Sequence, residues 1–147
     1  MPIVNFFLVP GAFDDEAVRQ LLKDASHFYV ETLYPGMEPL PLDRVRAFVT
    51  LISPGHWATA GVPVSEGGEI APFFTCLALE GRPQEQLERL MAGFTDLIEK
   101  HLGCRRGAIR GQLLSIDPAH WSIGGEPARL MRANETQLRS NGGLQGV

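Results

Sequence analysis

Two stretches, SPGHWATAG at 53–61 and DPAHWSIGG at 117–125, repeat Pro-x-His-Trp and a closing glycine at an offset of 64 residues. A chain written twice is restricted to folds assembled from two like units. The duplication extends well beyond this pair. Met1-Pro2 faces Ala71-Pro72, and FFLVPG at 6–11 faces CLALEG at 76–81, so Gly11 faces Gly81. An amphipathic stretch follows each glycine. One stripe carries Val18, Leu21, Leu22, Ala25 and Phe28; the other carries Leu87, Leu90, Met91, Phe94 and Leu97. The spacing is helical, and the two stripes coincide at an offset of 69. Asp14 suits the N-cap of the first helix, Pro83 the first turn of the second, and Gly103 its C-terminal stop.

A second strand-like run follows each helix, at 44–52 and 108–116, and ends in the Pro-x-His-Trp turn. Each half therefore reads strand, helix, strand, turn, which implies a parallel strand pair with a right-handed crossover. Two such β-α-β units give an α/β fold with a four-stranded sheet and both helices on one face. The other sheet face is left for a partner, and self-association is the expected solution. The repeats span 1–61 and 71–132 of a single domain, 1–147. The Gly-rich segment 62–70 reads as a linker and 133–147 as a loose tail.

Composition narrows the function. The 147 residues are 44% hydrophobic with a net charge of −4, enough for one core and without a basic field for nucleic acid. No apolar run reaches the length of a membrane span, and the N-terminus lacks the basic start of a signal peptide. Cys76 and Cys104 lack metal-ligand spacing and read as reduced thiols of a cytoplasmic protein. His56 and His120 sit on equivalent turns, which the repeat explains without a metal. Neither a metal nor another cofactor is expected.

Met1-Pro2, LEGR at 79–82 and HWSIGGE at 120–126, in that order across nearly the whole chain, resemble the 4-oxalocrotonate tautomerase family in two fused copies. The second copy matches better in its interior, and the first carries the matching N-terminus. The resemblance implies a homotrimer of fused chains and a small carboxylate substrate, a 2-hydroxydienoate or the enol of a 2-oxo acid. It implies that Pro2, freed by removal of Met1, is the base. A terminal amine whose pKa is brought down by burial and a nearby cation is suited to moving a proton between carbons. Pro72 is internal and its nitrogen is an amide, so each chain holds at most one such base.

By the same resemblance, Arg82 grips a carboxylate, a task suited to a guanidinium. The first copy has Ala12 or its neighbour at that place. Arg46 and Arg110 each precede a tryptophan by eleven residues and correspond to the strand arginine that stabilises the developing enolate. Which of them faces Pro2 is open at this level. Trp57 and Trp121 stand where the family has an aromatic pocket wall. Asp43, in Asp43-Arg44, resembles a place in malonate semialdehyde decarboxylase. His27 resembles a helix histidine of the cis-3-chloroacrylic acid dehalogenase branch. Leu79 replaces an arginine of that branch and no glutamate occupies 108–116, and Arg82-Pro83-Gln84 lacks one of the decarboxylase's two arginines, so a tautomerase leads over a dehalogenase or hydratase and a decarboxylase, with a non-catalytic trimeric binding protein as the other alternative.

Overall fold

The computed structural model describes residues 2–131. Strand β1 (Ile3–Leu8), helix α1 (Asp15–Leu33) and strand β2 (Arg46–Leu51) form the first unit. Its end is a hairpin of β3 (Ala58–Thr59) and β4 (Val62–Pro63). The second copy supplies β5 (Phe73–Leu79), α2 (Gln84–Leu102), β6 (Arg110–Ile116) and the hairpin of β7 (Ser122–Ile123) and β8 (Glu126–Pro127). The four long strands make one sheet in the order β2-β1-β5-β6. β1 and β2 are parallel, whereas β1 and β5 are antiparallel, with Val4 opposite Cys76 and Phe7 opposite Phe73.

The strands begin later than the sequence reading has them. Residues 42–44 and 106–108 form 3₁₀ turns, because the N–H groups of Val45 and Ile109 close back on the carbonyls of Leu42 and Arg106. The linker is also shorter. Val62–Glu66 belong to the first unit, as β4 and a 3₁₀ turn, and the Val64 N–H donates to the Trp57 carbonyl as that of Ala128 does to Trp121. The tip of this hairpin has drifted from that of its twin. Gly124 and Gly125 both take positive φ, and their counterparts are Ala60 (φ 54°) and Gly61 (φ 81°). The tight turn needs left-handed residues at both places, and alanine there hides the signal.

Helices α1 and α2 have 19 residues each and keep the offset of 69. Asp14 caps α1 by accepting the Glu16 N–H, and Gly103 ends α2 in the left-handed conformation. Alternation in the strands sends Val4, Phe6 and Leu8 of β1, and Phe74 and Cys76 of β5, into the helices. There they meet Leu21, Ala25 and Tyr29 of α1 and their counterparts Leu90, Phe94 and Ile98 of α2. Burial pushes the Cys76 thiol up to about 12, so at neutral pH it is a packing group rather than a nucleophile. The other sheet face carries Ile3, Asn5, Phe7, Phe48, Phe73 and Thr75, and Phe48 is 46% exposed.

Contacts divide the chain into two compact units. The larger holds residues through Ala78 together with Arg82–Leu114. Among the described residues the smaller holds Leu79–Gly81 and 115–131, and within it the Glu80 N–H donates to Ile116 and Asp117 accepts the Ala119 N–H.

A polar clasp joins the two helices. His101 Nε2 lies 2.7 Å from Asp24 Oδ2, and Gln20 Nε2 donates to Asp24 Oδ1 at 3.0 Å. Partial burial raises the Asp24 pKa, but the hydrogen bonds from Gln20 and His101 and the charges of His101 and Lys100 outweigh it, and the net shift is downward. A depressed folded-state pKa gives stability that is present above the unfolded value and lost as pH falls through the folded one. Asp24→Asn is therefore expected to lower the melting temperature at neutrality, and to do so less and less toward about pH 3. Melting curves across that range check this, and a constant difference at every pH would contradict it.

Candidate active site

Pro2 heads β1 with its side chain buried, and its carbonyl accepts the Arg46 N–H at 3.0 Å. The second copy repeats the arrangement: Pro72 is buried and its carbonyl accepts the Arg110 N–H at 3.1 Å. Within one chain, then, Arg46 is the strand arginine that shares an end of the sheet with Pro2. Each arginine lies at the start of an edge strand and bends its guanidinium onto the preceding 3₁₀ turn. Arg46 Nη1 donates to Asp43 O (2.8 Å) and Val45 O (3.0 Å); Arg110 Nη1 donates to Gly107 O (2.6 Å) and Ile109 O (3.2 Å). Both residues are otherwise exposed. The turn thus fixes one corner of a guanidinium placed at the mouth of the β-α-β unit.

Asp43 contributes its backbone carbonyl to that corner, and its side chain is exposed. His27 lies on the exposed side of α1, with Nδ1 3.0 Å from the Lys23 carbonyl one turn back. That bond turns the ring along its own helix.

Trp57 borders an open hollow with Phe7, Ile52, His56, Ala58 and Phe73. The rings of Phe7 and Phe73 are 5.4 Å apart at its base. His56 and His120 each close a 3₁₀ turn, donating their N–H groups to Ser53 and Asp117. Trp121 is half-buried, and its indole N–H is buried without a hydrogen-bond partner among the described residues.

Arg82 has a destination that local pattern reading missed. Its Nη1 donates to the Leu33 carbonyl at 2.6 Å and to Gln86 Oε1 at 3.3 Å, while Gln86 Nε2 donates to the Thr32 carbonyl at 2.8 Å. Helix α1 has no basic residue in its last turn and no glycine at its end. The start of α2 supplies the donors that its terminal carbonyls need. The guanidinium also lies 5.1 Å from the centre of the Tyr34 ring. Gln86, Tyr34 and the end of α1 therefore fix the orientation of Arg82.

Two β-α-β units, each opening on a buried proline whose carbonyl is bonded to a strand arginine, define a duplicated proline-headed module. The family profile described as "Tautomerase enzyme" matches residues 72–130, the second copy, beginning at Pro72. A probable tautomerase of Staphylococcus aureus (strain Mu50) is 37% identical over 54 residues, which cover 37% of this chain and 88% of that relative. The chain belongs to the tautomerase family. Among solved structures, Pt0534 inactivated by 2-oxo-3-pentynoate is similar with a TM-score of 0.76 at 26% identity, covering 88% of this chain and 98% of that one. The F6 fused 4-OT asymmetric trimer is similar with a TM-score of 0.75 at 19% identity, with the same coverage. The fold of both copies is thus that of the fused 4-OT proteins.

Proposed function

We propose that this tautomerase uses Pro2, once Met1 is removed, as a general base on a small 2-hydroxydienoate or the enol of a 2-oxo acid. The base takes the proton of the 2-hydroxyl and returns it to a carbon of the conjugated chain, so that the double bonds shift and a 2-oxo acid results. Atoms and charge balance without a co-reactant. The observation that carries the proposal is the pairing of a buried Pro2 with Arg46 at one end of the β1–β2 pair. A guanidinium there opposes protonation of the amine and steadies negative charge on the substrate oxygen. Arg46 acts on the enolate and Arg82 binds a carboxylate. His27 is bonded along its own helix and Asp43 meets the Arg46 guanidinium through its backbone carbonyl, so neither side chain takes part in this reading. The apolar sheet face with the exposed Phe48 favours a homotrimer, the assembly of the fused 4-OT neighbour.

The reagent that inactivated Pt0534 supplies the test. A free secondary amine adds to a conjugated alkynone, and an amide nitrogen does not. Treatment with 2-oxo-3-pentynoate is expected to abolish tautomerisation of 2-hydroxymuconate and phenylenolpyruvate, with one reagent per chain on the peptide beginning at Pro2. An unlabelled N-terminal peptide in an inactivated protein would refute the assignment of the base.

A further inference from the structure

The hollow beside Trp57 lies at the other end of β1 from Pro2. Because β5 runs antiparallel to β1, that end of the sheet is headed by Pro72. A row of side chains facing away from the helices crosses the sheet there. Ile52 follows β2, and Phe7 of β1 stands opposite Phe73 of β5. The bond from the Arg110 N–H to the Pro72 carbonyl sets Arg110 of β6 beside Phe73, as the same bond sets Arg46 beside Ile3 in the first copy. Arg110 shares the outward face, since a Cβ on the next residue, Gly111, would run into the Phe74 ring on the helix side. Its Nη1 is held by the Gly107 and Ile109 carbonyls, and its other N–H groups have no partner among the described residues. The Pro2 end is written differently: Ile3 and Leu77 correspond to Phe73 and Phe7, so the row there is aliphatic.

We propose that the Pro72 end of the sheet is a second, non-catalytic ligand site that takes an aromatic carboxylate. The ring lies among Phe7, Phe73 and Trp57, where aromatic edges and faces favour another ring. The carboxylate is met by the open side of the Arg110 guanidinium. The dimensions suit such a ligand. The hollow holds about 300 Å³, room for one ring with a short chain. Neighbouring strands are about 4.8 Å apart, so Arg110 starts about 10 Å across the sheet from Phe7. Pro72 lies within a peptide bond, so its nitrogen has no lone pair to take a proton, and the site binds its ligand unchanged. Duplication without a second terminal amine thus leaves recognition in place and removes the base. The site lies wholly within the larger unit and stands apart from the role given to Pro2.

Titration of 3-phenylpropionate into the full chain carrying Trp121→Phe, which leaves Trp57 as the one tryptophan, tests this. Binding is expected to change the Trp57 emission along a single saturable curve. Two analogues, 3-phenylpropanamide without the charge and hexanoate without the ring, should each bind at least about fivefold more weakly. Arg110→Gln should weaken 3-phenylpropionate at least about tenfold, and Arg110→Lys, which keeps the charge, should recover part of that loss. Phe73→Ile, the residue of the first copy, should bring 3-phenylpropionate and hexanoate to within about twofold of each other. Arg46→Gln should leave the curve unchanged. An emission that the ligand does not move overturns the site, and so does a loss in Arg46→Gln equal to that in Arg110→Gln. The readout is binding at Trp57, so it decides the second site even where 2-oxo-3-pentynoate shows Pro2 not to be the base. Melting curves of the variants separate lost binding from lost folding.

Discussion

Pro2→Ala is expected to lower kcat on 2-hydroxymuconate by about 10²-fold or more, with little change in KM, because a positioned base contributes about 10²–10⁴-fold to such a step. Alanine at this position still exposes an amine, so the comparison isolates the cyclic secondary nitrogen and its fixed direction at the head of β1. Pro72→Ala is the internal control. Pro72 is as buried as Pro2 and its carbonyl is bonded to a strand arginine in the same way, yet its nitrogen lies within a peptide bond and has no basicity. Its replacement should leave kcat within about twofold. Initial rates followed by ultraviolet absorbance, with intact mass to register the loss of Met1, decide the matter. A Pro2→Ala protein with the wild-type rate would remove the base from the mechanism, and equal losses at Pro2 and Pro72 would point to a structural role for both.

The repeat made most of this fold legible because both copies preserve the periodicities that secondary structure requires. The offset of 69 shared by the helices and 64 shared by the Trp hairpins differ by five residues. The structure puts that difference between helix and second strand, in the longer connection that precedes Arg46. What stayed hidden depends on one copy meeting the other. The antiparallel β1–β5 junction joins the copies, and no local pattern specifies it. Arg82 finds Leu33, 49 residues away, only after α1 and α2 have packed. Pro2 and the two strand arginines are legible in the sequence, but that Arg46 rather than Arg110 shares an end of the sheet with Pro2 follows from the parallel register, Ile3 opposite Arg46. A one-residue slip of that register would turn the arginine to the helix side.

Phe94→Ala should have the largest effect on stability. Phe94 is fully buried and touches four rings, with centroids 6.2 Å away for Phe6, 5.3 Å for Phe28, 5.0 Å for Tyr29 and 5.7 Å for Phe74. Its counterpart in the first copy is Ala25, also fully buried, so one large ring fills the space between the helices that two would overfill. The backbones are already close: a Cβ on the neighbouring Gly93 would overlap the Phe28 ring. With so little slack the walls cannot collapse far, and truncation leaves a cavity costing about 3–5 kcal/mol. That is a large part of the ~5–15 kcal/mol that holds a domain of this kind together. Ala25→Phe alone should also destabilise, through overpacking. The double exchange should be less destabilised than the sum of the two, because it conserves volume at one contact. Urea unfolding of the three proteins measures both terms. A loss below about 1 kcal/mol for Phe94→Ala would mean that the helices move to refill the space. Because Phe6 of that cluster lies four residues from Pro2 on β1, such movement would reach the candidate base, and activity would fall although stability hardly changed.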